Sequence, residues 1–326
     1  MTRVVFVLLP EVHLLDLAGP AQVFSTAAAF GPSYTLDYVA EREQVRSAQG
    51  LPLAARTDWP ALGRDDLVVV PGWRAPALRG GVRLSPATAD RLRAHHAAGG
   101  TVASVCAGAE ALGQAGLLDG RRCTTHHQLQ DELAARHPRA TVVRDVLFTT
   151  DDRVVTSAGI ASGIDLALHL LAARHGPSLA ARVAREMVIY ARRNGNEAQA
   201  SVMLRHRSHV DDTVHRVQDL IEARYAEPLP LARLAAHAGV SARTLTRQFT
   251  RATGGLTPLR YQQALRLERA EHLLGHGATV ESAAREVGFE DARMLRRLRS
   301  RPPAQHPAND HGTAPDRHEK TQASYF

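Results

Sequence analysis

The chain has few cysteines, almost no lysine and no long hydrophobic run. Its 326 residues include two cysteines, which excludes a disulfide framework and is typical of a reducing compartment. Lys320 is the only lysine, so nearly all positive charge is carried by arginine. The apolar run at 4–10 is too short to span a bilayer or to serve as a signal segment. We therefore expect a cytoplasmic protein without a membrane partner.

The charge of the chain is distributed unevenly. The formal net charge is +7, and the excess is larger in residues 201–326 (19 basic, 14 acidic) than in residues 1–200 (21 basic, 19 acidic). An excess of basic residues suits contacts with phosphate groups, although this excess is small.

Residues 1–191 alternate between short apolar strands and helices. The strands are predicted at 4–9, 34–39, 67–71, 101–105, near 141–147 and at 154–157. Continuous β-branched runs such as Leu-Val-Val-Val at 67–70 are typical of strands that are buried on both faces. The alternation predicts an α/β domain with an open, mostly parallel, flavodoxin-like sheet and helices on both faces.

Residues 231–249 carry the pattern of a helix-turn-helix unit. Apolar residues follow the spacing of an amphipathic helix at Leu231, Leu234, Ala235 and Ala238. Gly239 ends this helix, and Ser241 is predicted to cap a second one whose inner face carries Leu245 and Phe249. The opposite face is basic, as expected for a helix that enters a major groove of DNA.

The same pattern recurs at 280–298, with Gly288 at the turn and Asp291 at the cap. A helix opening with Thr257 and Pro258 is predicted to connect the two units, so that they span successive turns of one DNA face. The residues predicted to contact DNA are Ser241, Arg243, Thr244, Arg247 and Arg251 in the first unit, and Arg293, Arg296 and Arg297 in the second.

The predicted domain organisation has four parts. The α/β domain covers 1–191, a polar linker 192–212, and a smaller all-α domain 213–300. Residues 301–326 are rich in proline, histidine and polar side chains with little to bury, and we expect them to be disordered.

Cys106 follows a predicted strand directly and lies between small residues. This arrangement is typical of a nucleophile elbow, and a thiol at the start of a helix is expected to favour its thiolate form. Asp16, in a loop after the first strand, is expected at the same edge of the sheet, with His126 as a base. The backbone N–H groups of Gly72 and Ala107 are candidates for binding an oxyanion. A buried, unreactive cysteine is the alternative.

No metal site or cofactor is predicted. Cys123, His126 and His127 have a loose ligand-like spacing, but the sequence offers no second pair of ligands.

Residues 213–298 resemble the DNA-binding domain of the AraC/XylS family. The resemblance is carried by the paired helix-turn-helix units, a Pro-x-x-Tyr element at 258–261 and the run Ala-Arg-Glu-Val-Gly-Phe at 284–289. It implies specific binding to double-stranded DNA. After Ser300 the chain departs from the family pattern, which normally continues with another turn and a closing helix.

Residues 1–190 resemble the PfpI/ThiJ superfamily, which has the class I glutamine amidotransferase-like fold. The matching stretches are LLDLAGPAQVF (14–24), VVVPG (68–72), SVCAGAEALGQAGLLDG (104–120), TTHH (124–127) and SAGIASGIDLALHLL (157–171). By this match Cys106 is the elbow cysteine, Asp16 the adjacent acidic residue and His126 the nearby histidine. Such a domain followed by an AraC-type domain resembles the GlxA-type family of transcriptional regulators.

The resemblance implies a transcriptional regulator that is controlled at its α/β domain by a small molecule or a redox signal. The first domain in that family is generally a sensor or dimerisation module, so a homodimer through this domain is expected and enzymatic activity is not. The alternative is a cysteine-dependent hydratase or amidase, similar to isonitrile hydratase, that uses Cys106 and Asp16. The sequence leaves the effector, the target operon and the direction of regulation open.

Overall fold

The computed structural model describes residues 2–189, 193–197, 199, 201–207, 209–275 and 277–300. Contacts within the chain divide it into two compact units, Met1–Ser201 and Val202–Phe326. The predicted tail at 301–326 lies outside the described residues.

The first unit contains the strands and the helices α1 to α6. The strands are β1 (Thr2–Val7), β2 (Tyr34–Val39), β3 (Gln44–Arg46), β4 (Pro52–Ala54), β5 (Leu67–Val70), β6 (Thr101–Val105), β7 (Arg122–Cys123), β8 (Thr141–Val142), β9 (Phe148–Asp151) and β10 (Val154–Ser157). The helices are α1 (Leu14–Ala28), α2 (Pro86–Ala97), α3 (Gly108–Gln114), α4 (Gln130–Arg136), α5 (Ser162–His175) and α6 (Pro177–Glu186).

The main sheet has six strands in the order β2-β1-β5-β6-β10-β9. All neighbouring strands run parallel except β9, which pairs with β10 in the antiparallel direction. This confirms the predicted α/β class with a mostly parallel sheet. The strand predicted near 141–147 was only partly right, because β8 ends at Val142 and the edge strand β9 begins at Phe148.

Helices cover both faces of the sheet. Alternate residues of β1 and the loop after it enter two separate cores: Val4, Phe6 and Leu8 one, and Val5, Val7 and Leu9 the other. The first core is completed by α1, α5 and α6, and the second by α2, α3 and α4. Burial on both faces explains why the central strands read as continuous apolar runs.

The second unit is helical in its described part. Its helices are α7 (Val202–Arg205), α8 (Asp212–Ala223), α9 (Leu231–Ala238), α10 (Ala242–Ala252), α11 (Pro258–Gly275), α12 (Val280–Glu286) and α13 (Ala292–Arg299). The pairs α9–α10 and α12–α13 are the two predicted helix-turn-helix units, and α11 connects them.

Capping residues delimit these helices as the sequence predicts. Ser241 accepts the backbone N–H of Thr244 at 3.2 Å, and Asp291 that of Arg293 at 2.8 Å. The turn residues Gly239 and Gly288 have φ values of +70° and +82°. A Cβ at Gly288 would also overlap the carbonyl of Ala226, so glycine is required there for close packing as well as for the turn.

Each helix-turn-helix unit has its own small core. Leu234, Leu245, Phe249 and Tyr261 lie in the first, and Ala283, Ala284, Val287 and Leu295 in the second. Leu231 departs from the predicted apolar stripe, because 39% of its surface is exposed at the start of α9.

Candidate functional site

Cys106 lies at a sharp turn between β6 and α3. Its φ of +55° is uncommon for a residue with a side chain and identifies the turn as an elbow. Gly108, two residues on, packs so closely on the Val70 carbonyl that a Cβ would overlap it. The Cys106 N–H donates to Ser157 O at 3.0 Å, and its carbonyl accepts from the Thr125 hydroxyl at 2.8 Å. The elbow is therefore fixed by β10 on one side and by the loop after β7 on the other.

Asp16 lies beside this cysteine, in the first turn of α1 and not in the predicted loop. Its side chain is fully buried, and Oδ1 accepts the Ile160 N–H at 2.8 Å. Oδ2 makes no hydrogen bond of regular geometry with any described residue. A buried carboxylate oxygen without such a partner can accept a hydrogen bond from, or donate one to, a bound molecule.

Burial controls the protonation of both groups. It raises the pKa of Asp16 to about 6, an effect opposed by the N–H groups of Ile160 and Gly72 and by the Cys106 thiol. Burial, reinforced by the negative charge of Asp16, raises the pKa of Cys106 to about 12. The expectation that the helix start favours the thiolate is wrong here, because loss of hydration outweighs the N–H group of Ala107.

Gly72 and Ala107 lie next to the side chains of Asp16 and Cys106. A Cβ at Gly72 would overlap Asp16 Oδ2 and would lie 2.7 Å from Cys106 Cβ and 3.0 Å from Ala107 N. The backbone segments predicted to bind an oxyanion are thus adjacent, and only glycine leaves space between them.

His126 has a different set of contacts. Its Nδ1 accepts the Gln128 N–H at 3.4 Å, and its ring lies 4.2 Å from that of His127. Burial lowers the pKa of His126, and the neighbouring His127 and His13 lower it further, so the neutral form is favoured. Among the described residues no hydrogen bond connects His126 with Cys106, and its role as a base stays a prediction.

The loop after β10 lies against the Cys106 thiol, a contact that the sequence patterns do not predict. Gly159 has a φ of +105°, and a Cβ there would lie 2.8 Å from Cys106 Sγ. Ile160, which donates to Asp16, has a φ of +45°, a strained value for a β-branched side chain. The matching stretch at 157–171 contained these residues, but only tertiary contact reveals their position over the thiol.

The exposed face of α10 forms the second candidate site. Arg243, Arg247 and Arg251 follow one another at one-turn intervals and form no ion pair with any described residue. They line an open cleft of about 630 Å³, together with Leu231, Ala242, Thr246 and Thr250. Thr246 and Ala242 were not among the residues predicted to contact DNA, although their spacing from Arg243 and Arg247 places them on the same side of the helix.

Ser241 and Thr244, also predicted to contact DNA, are engaged with each other. The Ser241 hydroxyl caps α10 and hydrogen-bonds to the Thr244 hydroxyl at 2.9 Å.

The arginines of α13 are placed differently from those of α10. Arg296 forms an ion pair with Glu281, and Arg293 lies 3.8 Å from Asp291. Arg297 contacts the sulfur of Met294 at 3.1 Å. All three are exposed, so the second unit also presents a basic face, but acidic partners neutralise part of it.

Two further structural findings bear on partners. Within the described ranges, no group of three or more histidine, cysteine or acidic side chains is arranged to hold a metal ion. None of the described helices combines the length and the apolar character needed to cross a membrane.

Comparison with known proteins finds a family model for each of the two parts of the chain. The DJ-1/PfpI family model matches residues 2–173, and a helix-turn-helix domain model matches residues 234–301. The chain is 28% identical over 313 residues to the HTH-type transcriptional regulator CdhR of Pseudomonas aeruginosa, which covers 95% of this chain and 91% of that protein. It is 35% identical over 184 residues to the regulator GbdR of the same species, spanning 56% of this chain and about half (49%) of that relative.

Two other similarities each cover a little more than half of the chain. Isonitrile hydratase of Pseudomonas putida is 37% identical over 172 residues, which is 51% of this chain and 68% of that enzyme. The crystal structure of an AraC family transcriptional regulator from Pseudomonas putida superimposes with a TM-score of 0.50 at 26% identity, covering 57% of this chain and all of that one.

Fold and sites together define a two-domain protein, in which an α/β domain with an Asp–Cys elbow precedes paired helix-turn-helix units. The chain belongs to the DJ-1/PfpI family. Because its second domain is an AraC-type helix-turn-helix domain, as in the relatives of regulatory function, it is a transcriptional regulator. The combination expected from the sequence, a PfpI/ThiJ-like domain followed by an AraC-type domain, is confirmed.

Proposed function

We propose that this regulator acts in the cytoplasm as a homodimer that binds a specific bipartite DNA site and is controlled by a small molecule at Asp16 and Cys106. The observation that carries the proposal is the buried Asp16 Oδ2, which lacks a regular hydrogen bond beside an elbow cysteine. A site of this kind, in one chain with a DNA-binding domain, suits a sensor.

Residues 193–197 and 199 support control from this site, because Arg193 and Gln199 contact residues on both sides of Cys106. The Arg193 guanidinium forms an ion pair at 2.6 Å with the buried Asp165 of α5. The same helix begins at Ser162, whose hydroxyl accepts the N–H of Gly159 above the thiol. On the other side, the Gln199 amide donates to Thr125 O at 2.9 Å.

Thr125 in turn donates its hydroxyl to the Cys106 carbonyl. A ligand that shifts the elbow or the 159–160 loop would therefore disturb the contacts of Arg193 and Gln199, which precede the DNA-binding unit in the chain.

The proposed dimer has a candidate surface on the α/β unit. Leu15, Leu51 and Ile160 are 45%, 52% and 40% exposed, and exposed large apolar residues that lie together can mark an interface. Leu15 adjoins Asp16, to which Ile160 is hydrogen-bonded, and Gln49 in the β3–β4 connection accepts the Leu14 N–H. Replacing Leu51 by Glu should yield monomers in sedimentation velocity, whereas an unchanged dimer would exclude this surface.

DNA binding is tested with the DNA that flanks the gene, by fluorescence anisotropy over a series of salt concentrations. Specific binding with a steep salt dependence is expected, since each arginine–phosphate contact releases counterions. Equal affinity for the flanking DNA and for a shuffled duplex would refute the proposal.

The sensor role is tested by the same assay during a screen of small molecules. An effector should change the DNA affinity of the wild-type protein and should lose that effect in Asp16→Ala. Asp58→Ala is the matched control, because Asp58 lies on the surface of the same unit and pairs with Arg56. An effector whose action survives Asp16→Ala would place the ligand site elsewhere.

A cysteine-dependent hydratase or amidase is the second candidate function. It is favoured by the adjacency of Cys106, Asp16, Gly72 and Ala107 and by the similarity to isonitrile hydratase. The similarity to the regulators GbdR and CdhR supports this activity less than it supports the sensor role. Turnover of an isonitrile or small amide that is abolished in Cys106→Ala would establish it, and regulation would then coexist with catalysis.

A further inference from the structure

The exposed side of α10 carries two parallel stripes of residues. Arg243, Arg247 and Arg251 form a charged stripe, and Ala242, Thr246 and Thr250 form a stripe of small side chains beside it. Both repeat every fourth residue, so each follows one side of the helix. A helix lying in the major groove would present the two stripes to neighbouring base pairs.

Thr246 is one of the residues that line this cleft. Its Oγ1 donates to the carbonyl of Ala242 at 2.9 Å, so its hydrogen is already used within the helix. The remaining branch of the side chain is the Cγ2 methyl. The Ala242 side chain, one turn earlier, is a methyl group as well, and it is exposed.

Leu231 forms an apolar wall of the same cleft. It is 39% exposed, whereas Leu234, Ala235 and Ala238 on the same helix are buried in the core. Exposure of a leucine to water is unfavourable, and contact with an apolar group of a ligand would recover that free energy. In the major groove, the apolar group that a base pair offers is the C5-methyl of thymine.

We infer that Thr246, with Ala242 and Leu231, selects a thymine by contact with its C5-methyl, while the adjacent arginines bind guanine edges or phosphates. The inference rests on the proposed DNA binding and adds a base preference to it. An arginine recognises guanine and not thymine. The methyl contact therefore adds specificity at a base pair that the charged stripe does not read.

The experiment begins with the full-length protein and a pool of randomised duplexes, from which bound sequences are selected. Each thymine of the selected site is then replaced by uracil, which removes only the C5-methyl. At one position the wild-type protein should bind the uracil duplex about fourfold more weakly, the value expected for one buried methyl group.

Thr246→Ser tests the residue, because serine keeps the hydroxyl that bonds to Ala242 and loses only the methyl. Because the apolar groups of Ala242 and Leu231 remain, this variant should discriminate between the thymine and uracil duplexes at that position less than the wild type does. Thr213→Ser, in α8 and outside the cleft, is the matched control and should retain the wild-type ratio. Circular dichroism of both variants establishes that the fold is unchanged.

The outcomes separate this inference from the proposed function. A pool without enrichment overturns specific DNA binding, and the inference with it. An enriched site at which no uracil replacement weakens the wild-type protein overturns the inference alone. The same holds if Thr246→Ser keeps the wild-type discrimination between thymine and uracil.

Discussion

Asp16→Asn should make the α/β domain more stable above neutral pH, and by an amount that depends on pH. Burial raises the pKa of the carboxyl from 3.8 to about 6, so the folded state binds the proton more tightly than the unfolded state. Below about pH 4 both states are protonated and ionisation costs nothing. Above about pH 6 both are ionised, and the cost to the folded domain reaches about 3 kcal/mol.

Asparagine keeps the oxygen that accepts the Ile160 N–H and removes the ionisable proton. The stability difference between Asp16→Asn and the wild type should therefore grow in favour of the variant by about 1.5 kcal/mol between about pH 5 and about pH 8. Urea denaturation followed by tryptophan fluorescence measures it, because both tryptophans, Trp59 and Trp73, belong to the first unit. The signal thus reports this domain without the helical one.

Asp58→Asn is the control for the pH dependence. Asp58 is exposed, and its hydrogen bond to Arg56 lowers its pKa, so this variant should not gain stability as the pH rises. A stability difference between Asp16→Asn and the wild type that is constant with pH would refute the raised pKa. A difference that grows in favour of the wild type would show that the ionised Asp16 stabilises the fold.

Three further predictions concern the elbow and the helical domain. Cys106 should react with iodoacetamide about a thousandfold more slowly than free cysteine at about pH 8, because its pKa is about 12. Rapid alkylation of Cys106, detected by mass spectrometry, would contradict its burial. Arg247→Ala should weaken specific DNA binding by about 1–3 kcal/mol. Arg296→Ala should weaken it less, because the Arg296 guanidinium is already paired with Glu281. Equal losses of affinity in anisotropy titrations would refute this difference between the two units. Gly288→Ala should destabilise the second helix-turn-helix unit by more than about 1 kcal/mol, because the alanine would need a positive φ and its Cβ would overlap the Ala226 carbonyl. Unchanged hydrogen exchange in α12 and α13 would contradict this prediction.

The predicted helix-turn-helix units follow from local rules. Ser241 and Asp291 cap helices where the sequence places them, and Gly239 and Gly288 adopt the turn conformations that their positions require. Capping and positive φ depend on neighbours within a few residues, so the sequence pattern is enough to locate them. The buried strands of the α/β domain were predictable for a similar reason, because a strand covered on both faces needs a continuous apolar run.

Other features required contacts between distant parts of the chain. The edge strand β9 has a strand on one side only, and its sequence, Phe-Thr-Thr-Asp, shows no apolar run. Leu231 fits an apolar stripe by spacing, yet its position at the start of α9 leaves it in the cleft. Periodicity gives the face of a helix on which a residue lies, but not how far the neighbouring elements extend to cover it.

The two domains, the Cys106 elbow and the basic faces of the helix-turn-helix units are predictable from sequence patterns, because each is encoded by residues close together along the chain. The chemistry of the buried site, in contrast, depends on contacts between distant residues. Asp16 and Cys106 lie far apart in sequence, and the loop at Gly159 and Ile160 covers both. The pKa of a group depends on the water that surrounding elements exclude, and that burial, absent from any local pattern, keeps the thiol protonated.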